Sequence, residues 1–404
     1  MPSPHHGPRL STLILLSALC ILPINIFLPS LTNMAAEFGV EYSVIGLSLA
    51  AYAAASAVLQ IVLGPLSDRF GRRPVILSGL VLFMIATAGC IFAPDIWTFL
   101  GCRLLQAVIA PTYAVALAVI RDTTGKEEAA SKIGYVAMSW AVAPMLGPSL
   151  GGLLDEMFGW RASFWFLEAF GLAVFALCWM DLKETNHSRS VSMSAQFRTY
   201  PKLLVSGRFW SYALCMAFSV GAFFAFLAGA PLAAGAAFGL SPAALGLGMG
   251  SITAGFMFGS FLSGRFAGRV PLTTMMLAGR ALACAGLLLG LVLYAMQIDH
   301  IMALFGPCML VGVSNGLTLP SANAGAISVH PKLTGSAAGL ASAITVAGGA
   351  TMASVASAVL TAENARYALL LVMLGSAVIA LAAAMAAHRL DRIVQPASPD
   401  GPVA

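Results

Sequence analysis

Charge is what this chain of 404 residues has least of. Only 9% of it is Asp, Glu, Lys or Arg, where a soluble domain carries roughly a quarter. With 59% hydrophobic residues it cannot cover itself with a polar surface, so a water-soluble globule is excluded and lipid is its solvent. No His/Cys/Asp cluster has metal-ligand spacing, no Gly-rich loop is built to cradle phosphate, and no nucleophile stands with a base. A metal site, a cofactor and an enzymatic role are therefore not expected. All seven cysteines (Cys20, Cys90, Cys102, Cys178, Cys215, Cys284, Cys308) fall in apolar runs. A disulfide framework is not expected, and they read as small core residues. The net charge of +5 would suggest nucleic acid in a soluble protein; here it suits loops facing anionic lipid. The lack of a soluble signalling domain weighs against a receptor or sensor.

Apolar runs of membrane-spanning length recur along the whole chain, at about 10–33, 44–66, 75–93, 96–120, 133–154, 162–180, 209–230, 243–262, 272–296, 301–327, 335–358 and 366–387. With the N-terminus in the cytoplasm, seventeen Lys and Arg fall in inner loops and two, Arg161 and Arg366, in outer ones. That bias orients the chain. The outer loops instead receive Glu37, Glu41, Asp95, Asp155, Glu156, Asp299 and Glu363. The first run is too long for a signal-peptide core and is expected to stay as a span, leaving both termini cytoplasmic.

A polar stretch at about Asp181–Arg208 divides the chain, with six runs on each side. The expected organisation is one six-helix half over 1–183, a cytoplasmic linker over 184–208 with room for a surface amphipathic helix, and a second half over 209–404. The halves echo each other. Leu262-Ser263-Gly264-Arg265-Phe266-Ala267-Gly268-Arg269-Val270-Pro271 repeats Leu66-Ser67-Asp68-Arg69-Phe70-Gly71-Arg72-Arg73-Pro74 with one residue inserted and without the aspartate. Parallel six-helix repeats place a transporter's substrate between the halves near the midplane.

The connector Gly64-Pro65-Leu66-Ser67-Asp68-Arg69-Phe70-Gly71-Arg72-Arg73-Pro74 has the glycines and prolines of a tight turn and one acid among three arginines. It resembles the loop between the second and third helices of the major facilitator superfamily, Gly-x-Leu-(Ala/Ser)-Asp-Arg-x-Gly-Arg-(Arg/Lys)-x. The alternative is an ordinary basic loop. Gly64, Asp68, Arg69, Gly71, Arg72 and Arg73 match the pattern. As a gate, Asp68 is expected to pair with Arg69, Arg72 or Arg121 and to cap the eleventh run near Gly335 and Ser336.

Three further runs extend the likeness. In the fifth, Gly134, Ala143 and Gly147-Pro148-Ser149-Leu150-Gly151-Gly152 resemble the antiporter motif of the exporting branches. Gly147, Gly151 and Gly152 are expected where this run meets the other half; the plainer reading is a tight helix interface. In the fourth, Arg103 and Gln106 share a face and resemble the Arg-x-x-Gln motif associated with proton coupling. An arginine snorkelling to the interface is the alternative. In the first, Asn25-Ile26-Phe27-Leu28-Pro29-Ser30-Leu31 resembles the Asp-x-Tyr-x-Pro-x-Leu run of the bicyclomycin-resistance (Bcr/CflA-like) drug exporters. Asn25 stands for Asp and Phe27 for Tyr, and an amide does not carry a proton.

The other cavity candidates are Tyr113, Phe223 with its neighbours Phe218, Phe224 and Phe226, Asn315 and Asn323. Glu168 and Arg280 are expected in the outer layer, structural or snorkelling. The resemblance implies twelve helices in two pseudo-symmetric halves and a monomer in a bacterial inner membrane. It also implies export of a small amphipathic compound, driven by protons. With Arg103 and no carboxylate in the cavity helices, a neutral or anionic substrate fits better than a cation. A metabolite or siderophore exporter, or a uniporter, is the runner-up.

Overall fold

The computed structural model describes residues 8–124, 126–185, 203–266, 269–329 and 334–394. Among the described residues fourteen helices make twelve columns. The first column is α1 (Leu10–Asn25) and α2 (Leu31–Phe38), joined through a 3-10 turn at Leu28–Ser30. Then come α3 (Tyr42–Phe70) and α4 (Arg72–Ile91), followed by a second broken column, α5 (Ile96–Gln106) and α6 (Thr112–Thr123). The first half closes with α7 (Lys126–Phe158) and α8 (Arg161–Asp181). The second half is α9 (Gly207–Phe238), α10 (Pro242–Phe266), α11 (Leu272–Ala295), α12 (Ile301–Ser328), α13 (Thr334–Val359) and α14 (Ala365–Val394). Among the described residues eleven columns are long and apolar enough to cross a membrane; α7, with 33 residues, completes the twelve columns. No strand occurs among the described residues.

Several helices run past the apolar runs that mark them. A helix of 29 residues such as α3 is about 43 Å long at 1.5 Å per residue, against a hydrocarbon core of about 30 Å. Its polar end therefore projects into water, where charged residues stay helical. This corrects the expected connector. Gly64 and Pro65 lie within α3, and Gly71 alone, at φ 105°, separates α3 from α4. Likewise Asp155 is not in an outer loop but in the last turns of α7, buried at 7% exposure. Most of the linker, residues 186–202, and with it Arg189, Arg198 and Lys202, lies outside the described residues.

Two caps fix helix entries. Asp95 accepts from the N–H groups of Trp97 and Thr98 and from the Thr98 hydroxyl at the start of α5; these bonds hold its carboxyl below the usual range. Glu184 accepts from the N–H of Arg72 at 2.9 Å and of Arg73 at 3.2 Å. The exit of α8 thus caps the entry of α4.

The halves meet along two helix pairs, α7 with α10 and α3 with α13. The six-helix repeat exchanges these pairs, since α7 corresponds to α13 and α3 to α10. Large apolar side chains such as Ile85, Phe92, Leu172, Phe261 and Leu289 are exposed on the outer surface, as a lipid-facing wall requires.

Candidate functional site

A cavity of about 300 Å³ lies between the halves, midway along the columns. Ile21 and Ile24 of α1, Tyr52 and Ser56 of α3, Pro111, Phe223 and Phe224 of α9, Phe256 of α10, Asn315 of α12 and Thr345 of α13 line it. Its surface is apolar, interrupted by hydroxyls and amides, and no lining residue carries a charge. The break of the fourth column borders the cavity, and that of the first lies just beyond Ile24. Pro23 and Pro29 bend the first column, and Pro111 follows the 3-10 turn Ala107–Ile109 in the fourth, because proline removes a backbone donor.

Behind the wall stand two guanidinium groups, one in each half. Arg103 is fully buried, which excludes snorkelling. Its guanidinium lies 4.3 Å from the Phe27 ring centre and 4.5 Å from that of Tyr52. It donates to Gln106 Oε1, and Gln106 Nε2 donates to Thr87 Oγ1 at 2.8 Å. Arg103 Nε and Nη2 have no partner. The charge is thus held by two ring faces, which attract cations most strongly when desolvated. Tyr52, which reasoning from the sequence did not single out, separates Arg103 from the cavity; its place about two turns inside an apolar run carried no motif to mark it.

Of the two readings of Arg280, structural or snorkelling, burial removes the second. It is fully buried, and it donates to Asn315 Oδ1 at 2.8 Å and to Thr318 Oγ1 at 3.0 Å. Asn315 in turn donates to Ser219 O at 3.1 Å. Among the described residues neither arginine makes an ion pair.

The structure brings only part of the expected set to the cavity. Phe223 and Asn315 line it. Phe27, Arg103 and Gln106 form the layer behind. Asn25 is buried beside α7, donating to Ile21 O at 2.8 Å, with Oδ1 unpartnered. Tyr113 is half-buried and outside the lining, and Asn323 is exposed two turns beyond Asn315. Phe226 packs on Phe305 instead.

At the arginine-rich end, Arg72 Nη1 meets Asp68 Oδ1 at 2.5 Å and Ser67 Oγ at 2.5 Å, and its Nε meets Asp122 at 3.2 Å. Arg69 lies over Phe70. Arg73 donates to Trp179 O and lies over its ring, while Arg121 turns back to Leu117 O. The side chains of Gly335, Ser336, Gly64 and Gly134 lie outside the described ones.

The opposite end is sealed by backbone contact. An added Cβ at Gly152 would strike the Pro242 carbonyl, and one at Gly246 the Pro148 carbonyl. These two contacts cross between the halves. Gly147 and Gly151 do not: they face Asn25 and Ile26 of the first column in their own half. Of the three glycines expected where this run meets the other half, only Gly152 does so. Tyr42 donates to Ala228 O across the same end.

The model of the family described as Major Facilitator Superfamily matches residues 13–354. The chain is 30% identical over 322 residues to the Chloramphenicol resistance protein of Pseudomonas aeruginosa, covering 78% of this chain and 76% of the relative. It is 27% identical to Multidrug resistance protein D of Escherichia coli strain K12, over 90% of this chain and 92% of the relative. Among solved structures, an inward-facing, unoccupied bacterial homologue of the human lysosomal transporter Spinster superposes with a TM-score of 0.75 at 16% identity, covering 97% of this chain and 98% of the other. That likeness is one of fold.

Proposed function

The chain belongs to the major facilitator superfamily, and on that premise we propose that it exports small amphipathic compounds, neutral or anionic, from the cytoplasm in exchange for protons. The observation that carries the substrate class is the pair of buried arginines. Each stands one side chain behind the cavity wall, Arg103 behind Tyr52 and Arg280 behind Asn315, with no carboxylate in the lining. A desolvated cation would find only like charge there. A neutral ring system would find apolar walls and a few hydrogen-bonding groups, the usual makeup of a drug-sized site. The relatives named for chloramphenicol resistance and multidrug resistance support a drug-like cargo, and chloramphenicol is itself neutral, aromatic and amide-bearing.

Alternating access supplies the movement. The halves rock about the cavity, the Gly152–Pro242 end opening outward and the Arg72 end inward. In everted vesicles, chloramphenicol and an anionic aromatic compound are expected to accumulate when a pH gradient is imposed, and ethidium, a permanent cation, is not. Export of ethidium at the rate of chloramphenicol would overturn the substrate class. Accumulation that ignores the gradient would favour a uniporter, the reading that Asn25 in place of a carboxylate supports.

The Arg72 cluster is read as the inner gate. Asp68→Asn removes one arm of a pair whose carboxylate is 37% exposed, so the stability cost is expected to stay within about 1 kcal/mol. Export should nevertheless fall several-fold, because the cluster loses its hold on the closed inner end. Equal export at equal expression would remove Asp68 from the gate.

A further inference from the structure

Most acidic side chains of the described chain sit near helix ends beside a cation or a cap. Asp68 and Asp122 meet Arg72, Glu37 meets Arg161, and Asp299 meets Arg366. Asp155 differs. It is the one acidic residue among the described ones that is buried as a whole, and its polar neighbours are neutral; Glu168 of α8 is half-buried, with Oε2 buried and unpartnered. Asn33 Nδ2 donates to Asp155 Oδ2 at 2.8 Å. The Ser30 hydroxyl faces the same carboxyl and has no partner elsewhere.

Among the described residues, the elements packed around it bring no free cation. The first column offers Ser30 and Asn33, with Glu37 committed to Arg161 and to the Trp160 indole. From α8 comes that same Arg161. The facing turn of α10, Pro242–Gly246, has no titratable side chain. In α6 the charged residues, Arg121 and Asp122, lie at the arginine-rich end. Within α7 the neighbouring Glu156 is exposed.

We propose that protonation of Asp155 from the outer side favours closing of the Gly152–Pro242 seal. The inference rests on the alternating-access reading above. Asp155 lies less than a turn beyond Gly152. With the seal open, water reaches its carboxyl; with the seal shut, the carboxyl is dry. Shutting it over a carboxylate leaves a buried charge without a cation, which is costly. Shutting it over the protonated acid does not, and the new O–H has the unpartnered Ser30 Oγ as an acceptor. Closing therefore takes up one proton, and by linkage a high outer proton concentration drives the seal shut. The proton returns to the outer side when the seal reopens, so Asp155 makes closing respond to outer pH without itself carrying a proton across. It is a carboxyl that titrates, bonded to the first column but carried on α7.

Spin labels at Glu41→Cys and Ser241→Cys, both exposed on the rim, in full-length protein carrying Cys102→Ser and Cys284→Ser, report the seal by their separation. Between pH 8 and pH 5 the ratio of short to long distances is expected to rise about tenfold or more. Asp155→Asn should show the short distance at every pH, and Asp155→Glu should retain the rise. A wild-type ratio that ignores pH, or an unchanged rise in Asp155→Asn, overturns the proposal. Should Asp155→Asn fail to reach the membrane, Asn33→Asp decides. A like charge beside Asp155 should move the midpoint up by about one pH unit or more, and an unmoved midpoint overturns the proposal. Vesicle export that ignores the pH gradient is a separate result and counts against proton exchange itself.

Discussion

Gly152→Leu is expected to hold the two halves apart at Pro242 and to reduce export at least tenfold while the protein still folds. The glycine faces a backbone carbonyl of the other half, and backbone cannot step aside as a side chain can. Overpacking a close contact costs about 1–3 kcal/mol even where neighbours relax. A shift of about 2.7 kcal/mol moves a two-state equilibrium about a hundredfold. The variant should therefore accumulate in the form open at that end, visible as a long Glu41–Ser241 label distance at all pH values. Gly151→Leu makes a useful contrast. Its clash is with Ile26 inside the same half, so it should lower expression and thermal stability rather than trap a state. Wild-type export by Gly152→Leu would mean that α7 and α10 do not form the moving contact.

The second large effect is expected at Arg103. Arg103→Ala leaves a void between Phe27 and Tyr52 and strips Gln106 Oε1 of its donor, at a cost of about 3 kcal/mol or more. Export should be lost with it. Arg103→Met separates packing from charge, because it fills most of the void without a guanidinium. Replacing a buried charge by a well-packed apolar group is often neutral for stability or better. Its melting temperature should lie near the wild-type value, while export of an anionic compound falls about tenfold or more and that of chloramphenicol falls less. Anion export at the wild-type rate in Arg103→Met would show that the charge is not felt in the cavity. Arg103→Lys is not expected to rescue, since an ammonium does not stack between two rings as a planar guanidinium does.

Hydropathy made the twelve columns legible, since spans of apolar residues survive any tertiary arrangement. Their ends were less so, because nothing in the apolar pattern says how far a helix continues into water. That error carried Asp155 into a loop, although Gly159, four residues on at φ 80°, was a stop signal that reached past it. The Asp68–Arg72 pair followed from local spacing. Arg103 and Gln106 were legible as a pair at i and i+3, but the rings that hold the guanidinium come from two other columns. Arg280 lacked any local motif, and its partners lie 35 and 38 residues away on α12. Which glycines of α7 face the partner half depends on rotation about the helix axis, and adjacent residues 151 and 152 fall on opposite sides of that division.

A chamber walled by rings and aliphatic groups, with no ionised side chain of its own, holds its cargo chiefly by surface area. Covering about 200 Å² of apolar ligand at roughly 25 cal/mol per Å² yields about 5 kcal/mol before any ordering cost. That term alone corresponds to a dissociation constant of about 0.2 mM. Well below such a concentration the site is mostly empty and the export rate is proportional to the load. The cell then behaves as a vessel with a constant fractional drain, whose steady-state toxin level scales with what leaks in. Molecules of different shape but similar oiliness share that drain without competing.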